Sequence, residues 1–395
     1  EILRCLVGSE MCIRDRGEGD RNFMLNIFKN ANENQKGNFL EEILEGLFAE
    51  ALDRDRSAQD DLYDTKVEGF HNCRIPYLNG GLFERDILEK KSCHFPASFF
   101  DSLLTMLSQY NFTIDENDPN DAEVGVDPEM LGRIFENLLE DNKDKGAFYT
   151  PKEIVQYMCR ESLISYLQTD QREEDKECIR LFVSTHDATL LGDLKEEIEQ
   201  KLYNVKICDP AIGSGAFPMG LLRELFLCRS AIEPNIMENA ANIKRHIIQN
   251  NIYGVDIERG AVDIARLRFW LALIVDEKSP EALPNLDFKI MQGNSLLEQY
   301  KGVDLSTMTE KKVGTEQYIT IFDSMLDVYR KNLRDKLAEY YVCPNHDKKM
   351  LLRKDIADIV KQELIEQSID IDFEDVDLSA CLLYTSPSPR DISGS

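Results

Sequence analysis

The stretch DPAIGSGAFPMG, Asp209 to Gly220, decides how this chain is read. A short apolar run, NVKIC from Asn204 to Cys208, precedes it and predicts a buried strand. A helical pattern from Ala216 to Arg229 follows it. Strand, glycine turn and helix in that order place a ligand at the C-terminal end of a parallel strand. Gly213 and Gly215 remove side chains where a ligand must pass close to the backbone. A dinucleotide loop needs G-x-G-x-x-G, and here the third position is Pro218. Asp209 at the loop entrance would also repel a pyrophosphate at the helix N-terminus. S-adenosylmethionine has no phosphate and carries an ammonium and a sulfonium, which suit an acid near the loop. The plain alternative is a strand-helix turn with no ligand.

Working outward, NIYGVD (Asn251 to Asp256) predicts a second strand and DFKIM (Asp287 to Met291) a third. Helices are expected at Ala216 to Arg229, Pro234 to Gln249 and Gly260 to Asp276. Strand-helix repetition of this kind argues for an α/β fold with a parallel sheet. Asp256 ends the second strand, where a carboxylate can accept both hydroxyls of a ribose. It lies 47 residues beyond Asp209, against roughly 20 in a compact βαβ unit; the extra helix at Pro234 to Gln249 accounts for the difference. After the third strand comes GNSL, Gly293 to Leu296, where Asn294 can hydrogen-bond an adenine edge.

The region before Lys145 reads as mostly helical. Asn22 to Leu52 has apolar residues at helical spacing, including Phe39, Ile43, Leu44 and Leu47. Asp53 to Asp64 reads as a charged loop. Pro96 can open a helix to about Tyr110 with Phe99, Leu103 and Leu107 on one side. Asp127-Pro128 can start another, to about Glu140. GAFYTP, Gly146 to Pro151, leads into a helix to about Leu167, with Thr150 and Glu153 as a capping box and Pro151 at the first helical position. Beyond the third strand, long helices are expected at Thr315 to Tyr341 and Lys349 to Gln367, the first with an apolar stripe that includes Leu333 and Leu337.

The formal net charge is −27. A chain this acidic should repel a phosphate backbone; if it works on a nucleic acid, its main basic surface is expected elsewhere. No apolar run reaches membrane-spanning length. The cysteines are scattered, with no disulfide framework, which suits a reducing cytosol. Cys343 and His346 lack a second ligand pair at zinc spacing and read as a solvated loop; no metal is expected. Cys208 reads as strand core.

Together these residues resemble the adenine-N6 DNA methyltransferases whose motifs run in the gamma order, and more narrowly the large methylases of type IIG restriction-modification and phage-exclusion systems. GAFYTP matches the segment that packs on the cofactor's methionine end, which implies roles for Phe148, Tyr149, Thr150 and Pro151. DPAIGSGAF matches the main cofactor loop, through Asp209, Pro210, Ala211, Gly213 and Gly215. NIYGVDI matches the ribose-binding strand, through Asp256 and Ile257. GNSL matches the adenine-contacting turn, through Asn294 and Ser295. YLNGGLFE and LGRIFENLLE are familiar from the helical N-terminal region of these enzymes. The resemblance implies a partial Rossmann-like class I methyltransferase sheet, S-adenosylmethionine as cofactor, double-stranded DNA as partner, and possible defence-system subunits. It implies flipping of the target base and direct attack of its amine on the methyl group, with no covalent enzyme intermediate.

The family's catalytic tetrapeptide, Asn-Pro-Pro-Tyr or a close variant, does not occur in the sequence, so no catalytic residue is named. A segmentation follows: a helical domain at 17–140, the first half of a methyltransferase domain at 141–300 and a helical insertion at 301–380. Leu6 to Asp15 and the stretch Cys381 to Asp391 can be encoded by one DNA segment read on opposite strands. That segment resembles a transposon-end sequencing adapter. Residues 1–16 and 381–395 are therefore expected to be assembly scars rather than a Ser/Pro tail, and the chain to be cut just before its catalytic motif. The other expectations weighed are a methyltransferase acting on protein or RNA, a non-catalytic subunit of a defence complex, and a nicotinamide-dependent oxidoreductase, which fails at Pro218.

Overall fold

Three parallel strands set the frame: β3 (Ile207–Asp209), β4 (Ile252–Asp256) and β5 (Ile290–Gln292) form one sheet in that order. Cys208 lies opposite Tyr253, and Asp256 opposite Gln292. They belong to a computed structural model that describes residues 22–54, 56, 61–75, 77–78, 94–108, 150–233, 240–274, 283–296, 299–300, 303–304, 321–343 and 345–366. The chain divides into two compact units. One comprises Glu1–Tyr149, Arg266–Asn285 and Pro344–His346; the other comprises Thr150–Ala265, Leu286–Cys343 and Asp347–Ser395.

In the first unit, α1 (Phe23–Asn30) and α2 (Glu33–Gly37) are separated where a single helix was expected. Asn32 explains the break. Its side chain accepts from the Gln35 N–H, and Gln35 answers to the Asn32 N–H, so the chain restarts with its own cap. Residues Leu40–Leu44 and Leu47–Leu52 then wind as π-helix. A two-strand ladder, β1 (Leu62–Tyr63) with β2 (Cys73–Arg74), follows, its first strand in the stretch read as a charged loop. Arg56 ties it down, its guanidinium donating to the carbonyls of Ala51, Asp61, Leu62 and Ile75. Helix α3 runs Ala97–Leu107 after Pro96, as expected, but its buried residues are Phe100, Leu104 and Leu107. Phe99 faces solvent; Phe100 instead meets the Phe39 ring edge-on at 5.3 Å. The helix expected at Asp127 to Glu140 lies outside the described residues.

The second unit opens with α4 (Lys152–Leu167). Its N-terminus corrects the sequence reading. Pro151 is the N-cap, extended at ψ 143°, and no side chain caps the helix. The Pro151 carbonyl takes the N–H groups of Ile154 and Val155, so the Thr150–Glu153 capping box does not form. Helix α5 (Glu173–Thr185), a 3-10 segment (Ala188–Leu194) and α6 (Lys195–Asn204) lead to β3. Helix α7 (Ala216–Ile232) and α8 (Ala240–Asn250) link β3 to β4, and α9 (Arg259–Ile274) follows β4. Strand β5 starts later than expected, because the Leu286 carbonyl accepts from both Lys289 and Ile290 and holds 287–289 in a turn. Two short strands, β6 (Gln299–Tyr300) and β7 (Val303–Asp304), pair antiparallel. Helices α10 (Ile321–Val342) and α11 (His346–Glu366) close the described chain. Cys343 between them is buried, not solvated.

Among the described residues β3 pairs only with β4, and Cys208 is exposed rather than core. A free strand edge is a template for another chain. The protein is therefore expected to self-associate on concentration; a concentration-independent monomer by sedimentation velocity would contradict this. No helix among the described residues is long and apolar enough to cross a membrane.

A basic cluster packs where α7 meets α8. His246 stacks on Tyr203 with ring centroids 4.1 Å apart, and its Nδ1 lies 3.1 Å from Arg229 Nη1. Burial lowers its pKa to about 4, with Arg229 and Lys206 adding to the effect. A histidine held neutral in the fold costs stability once the unfolded chain can take its proton. Stability is thus full above the unfolded value near 6.5 and falls as the pH drops from there toward about 4. The melting temperature should decline across that window, and His246→Phe should flatten part of the decline.

Candidate functional site

The site is built at the C-terminal ends of β3, β4 and β5. Asp209 closes β3, and its Oδ1 accepts from the Ala211 N–H at 3.1 Å, turning the chain. Burial raises the Asp209 carboxyl above its ordinary value; the Ala211 N–H opposes this, and the charge on Asp256 adds to it. The two carboxyls expected to share a site therefore feel each other.

Asp256 closes β4 and holds the loop from below. Its Oδ2 accepts from the Gly213 N–H at 2.8 Å and its Oδ1 from the Glu258 N–H at 2.9 Å. Between the two acids the loop is pinned again, by the Ile212 N–H to the Val255 carbonyl at 2.9 Å. Gly213 has φ +54° and Gly215 φ +89°, the left-handed region that glycine tolerates. A Cβ at Gly213 would meet nothing within 4 Å, so the backbone there faces open space. At Gly215 a Cβ would sit 3.2 Å from the Ala265 Cβ. The first glycine leaves the backbone open, and the second packs closely against Ala265.

The turn after β5 completes the edge. The Gly293 N–H reaches the Asp256 carbonyl at 2.8 Å, and Ser295 Oγ donates to the Pro210 carbonyl at 2.6 Å. Ser295 thus braces the β3 loop. Asn294, an exposed residue, accepts from the Leu296 N–H through Oδ1 at 3.0 Å. Ile257 and Leu296 are 65% and 87% exposed. Apolar side chains so exposed at strand ends are available to a flat apolar ligand face.

The structure therefore brings together Asp209, Pro210, Ala211, Gly213, Gly215, Asp256, Ile257, Asn294 and Ser295. Phe148 and Tyr149 lie outside the described residues. Thr150 and Pro151 stand before α4, which packs against α7: a Cβ on Gly220 would come 2.8 Å from Val155 Cγ1 and 2.9 Å from Cys159 Sγ. Cys159 Sγ donates to the Phe217 carbonyl.

Two features were not picked out from the sequence. Gly254, in the middle of β4, is roofed by Ile212: a Cβ there would fall 2.2 Å from Ile212 Cδ1. A glycine inside a strand pattern is the signal that could have found it. The second is a buried ion pair under α7. Glu224 Oε2 takes Arg160 Nε at 3.1 Å and stands 3.2 Å from His186 Nε2. Burial works to raise its carboxyl, but His186 and Arg160 outweigh burial and hold it below its ordinary value. That clasp joins α4, α5 and α7, so it fixes the helix on which the loop ends.

Comparison with known proteins gives three likenesses. Residues 185–378 match the family described as the MmeI DNA-methyltransferase domain. A protein of Methanocaldococcus jannaschii named as a type II restriction enzyme and methyltransferase is 30% identical over 289 residues, 66% of this chain and 24% of that protein. The chain thus spans about a quarter of the length of that relative. A solved structure of the type IIL restriction-modification enzyme MmeI in complex with DNA aligns with 75% of this chain and 36% of its own, at 17% identity and a TM-score of 0.48. The family match and the curated relative support a methyltransferase of the restriction-modification type.

Proposed function

We propose that this chain carries the cofactor-binding part of a DNA methyltransferase. The enzyme would move a methyl group from S-adenosylmethionine to adenine N6 in duplex DNA, within a restriction-modification system. One observation carries the reading: two carboxylates, Asp209 and Asp256, end adjacent parallel strands around a turn whose backbone is open at Gly213.

The residues fit that cofactor. Each Asp256 oxygen holds one backbone N–H and keeps capacity for a second hydrogen bond, so it can take ribose hydroxyls. Asp209, whose burial disfavours its charge, gains from a cation at the loop. The same acid repels a pyrophosphate. Ile257 and Leu296 offer apolar surface to the adenine ring, and the Asn294 amide offers a donor to its edge. Thr150 and Pro151, with Phe148 and Tyr149, are assigned to the methionine end. When bound, S-adenosylmethionine supplies an electrophilic methyl group. The chain's own part is to orient the cofactor, and positioning of this kind is a large share of catalysis in a direct transfer. No residue is assigned to the base itself.

Thermal melts with S-adenosylmethionine, S-adenosylhomocysteine and NAD test the reading. At about 100 times its Kd a ligand that binds only the folded state adds about 2.7 kcal/mol. The two adenosyl-sulfur ligands should raise the melting temperature and NAD should not; stabilisation by NAD alone would sink it. Nucleoside mass spectrometry of DNA exposed to the full-length enzyme then separates N6-methyladenine from a methylated cytosine amine.

A further inference from the structure

Gly220 lies at a close crossing of α4 and α7. A Cβ there would come 2.8 Å from Val155 Cγ1 and 2.9 Å from Cys159 Sγ, so the crossing needs a glycine. Neither neighbour yields easily. Val155 is buried and, being β-branched, is held to one rotamer in a helix. Cys159 is buried as well, and its Sγ is committed to the Phe217 carbonyl at 3.4 Å. Burial, with the charges of Glu224 and Asp209 nearby, pushes that thiol up to about 12, so it packs and donates as a neutral group. One turn after Gly220, Glu224 takes Arg160 Nε at 3.1 Å and ties the two helices again. Val155 also leads toward the site. Its N–H is bonded to the Pro151 carbonyl at 3.1 Å, beside that of Ile154 at 3.0 Å. Thr150 and Pro151 stand directly before α4, and α7 starts directly after the Asp209–Gly215 loop.

We infer that Gly220 is a positioning residue for one half of the cofactor, an assignment that rests on the reading of this chain as an S-adenosylmethionine-dependent methyltransferase. Its missing side chain sets how far the segment before α4 stands from the Asp209–Gly215 loop. That spacing sets the grip on the methionine end and leaves the adenosine end alone. The residues assigned to the adenosine, Asp256, Ile257 and Asn294, make their hydrogen bonds within the loop and the strand ends rather than to α4. A Cβ at Gly220 needs roughly 0.7 Å more room to reach ordinary contact near 3.5 Å. Close-packed interiors transmit such a displacement instead of absorbing it. The Arg160–Glu224 clasp holds the C-terminal side of the crossing, so the gap opens toward Pro151. Alanine suits a helix interior better than glycine. The substitution therefore acts through the crossing and not by weakening α7.

The test is calorimetry of the full chain with S-adenosylhomocysteine and with methylthioadenosine, which keeps the adenosine and the sulfur but has no amino acid. Wild type should prefer S-adenosylhomocysteine. Gly220→Ala should weaken S-adenosylhomocysteine by about tenfold or more, the loss of one hydrogen bond to a charged group, and leave methylthioadenosine at its wild-type affinity. Val155→Ile presses the same contact from the α4 side with one added methylene. It should lower the ratio of the two affinities in the same direction, and it decides the matter where Gly220→Ala does not fold. Adding Val155→Ala and Cys159→Ala to Gly220→Ala makes room for the new methyl group and should return the ratio to its wild-type value. A ratio that stays low in that triple variant overturns the assignment, because the loss would not act through the crossing. An unchanged ratio in the deciding single variant, with both ligands weakened alike or neither weakened, overturns it too. So does a wild type that binds the two ligands equally, which leaves the cofactor reading standing. A wild type that binds neither ligand removes the methyltransferase reading and this assignment with it.

Discussion

Asp256→Ala should weaken S-adenosylmethionine binding by tenfold to several hundredfold in calorimetry. Two losses combine. The carboxylate that would take the ribose hydroxyls is gone, and each hydrogen bond to a charged group is worth about 1.5–3 kcal/mol. The same change frees the Gly213 and Glu258 N–H groups, which Asp256 holds at 2.8 and 2.9 Å. The loop then loses its tie to β4. Asp256→Asn separates the two: its single carbonyl oxygen can keep one N–H, but its amide faces the other donor. It should fall between wild type and the alanine variant. Unchanged affinity in Asp256→Ala removes the ribose assignment.

Gly254→Ala should destabilise the protein by about 1–3 kcal/mol, the usual cost of overpacking a filled site. The new Cβ would fall 2.2 Å from Ile212 Cδ1, 3.0 Å from its Cγ1 and 3.1 Å from its Cβ, so rotating the end of the isoleucine does not clear it. Ile212 sits in the cofactor loop and is 3% exposed. It must rise, and the loop with it, so S-adenosylmethionine affinity should fall together with stability. Ile212→Ala alone leaves a void. The double variant should be less destabilised than the two single changes summed, a coupling that urea denaturation of all four proteins reads directly. Additive effects would mean that Ile212 does not roof Gly254.

How much of this was legible beforehand depends on the range of the interaction. The loop, its two glycines and Asp256 could be read because strand, turn and helix follow one another within a few residues. Starts and stops were harder. Pro151 caps α4 with its own extended backbone, and Thr150 plays no part. Strand β5 yields its first residues to a turn that the Leu286 carbonyl organises. Helices α5 and α6 carry buried Ile179, Phe182, Ile198 and Leu202, yet no motif marked them. The Arg160–Glu224–His186 clasp spans 64 and 38 residues, and no local pattern encodes such a meeting. Cys208 misled because its strand looked central when, among the described residues, it is at the sheet edge.

On the proposed function, three strand ends form one cofactor site. Hydrogen–deuterium exchange of the full chain, with and without S-adenosylmethionine, tests it most directly. Exchange should slow on cofactor addition in peptides covering 209–216, 255–258 and 293–296 together, with little change in 23–52. Binding that protects none of these three segments, or protects only one of them, would contradict it.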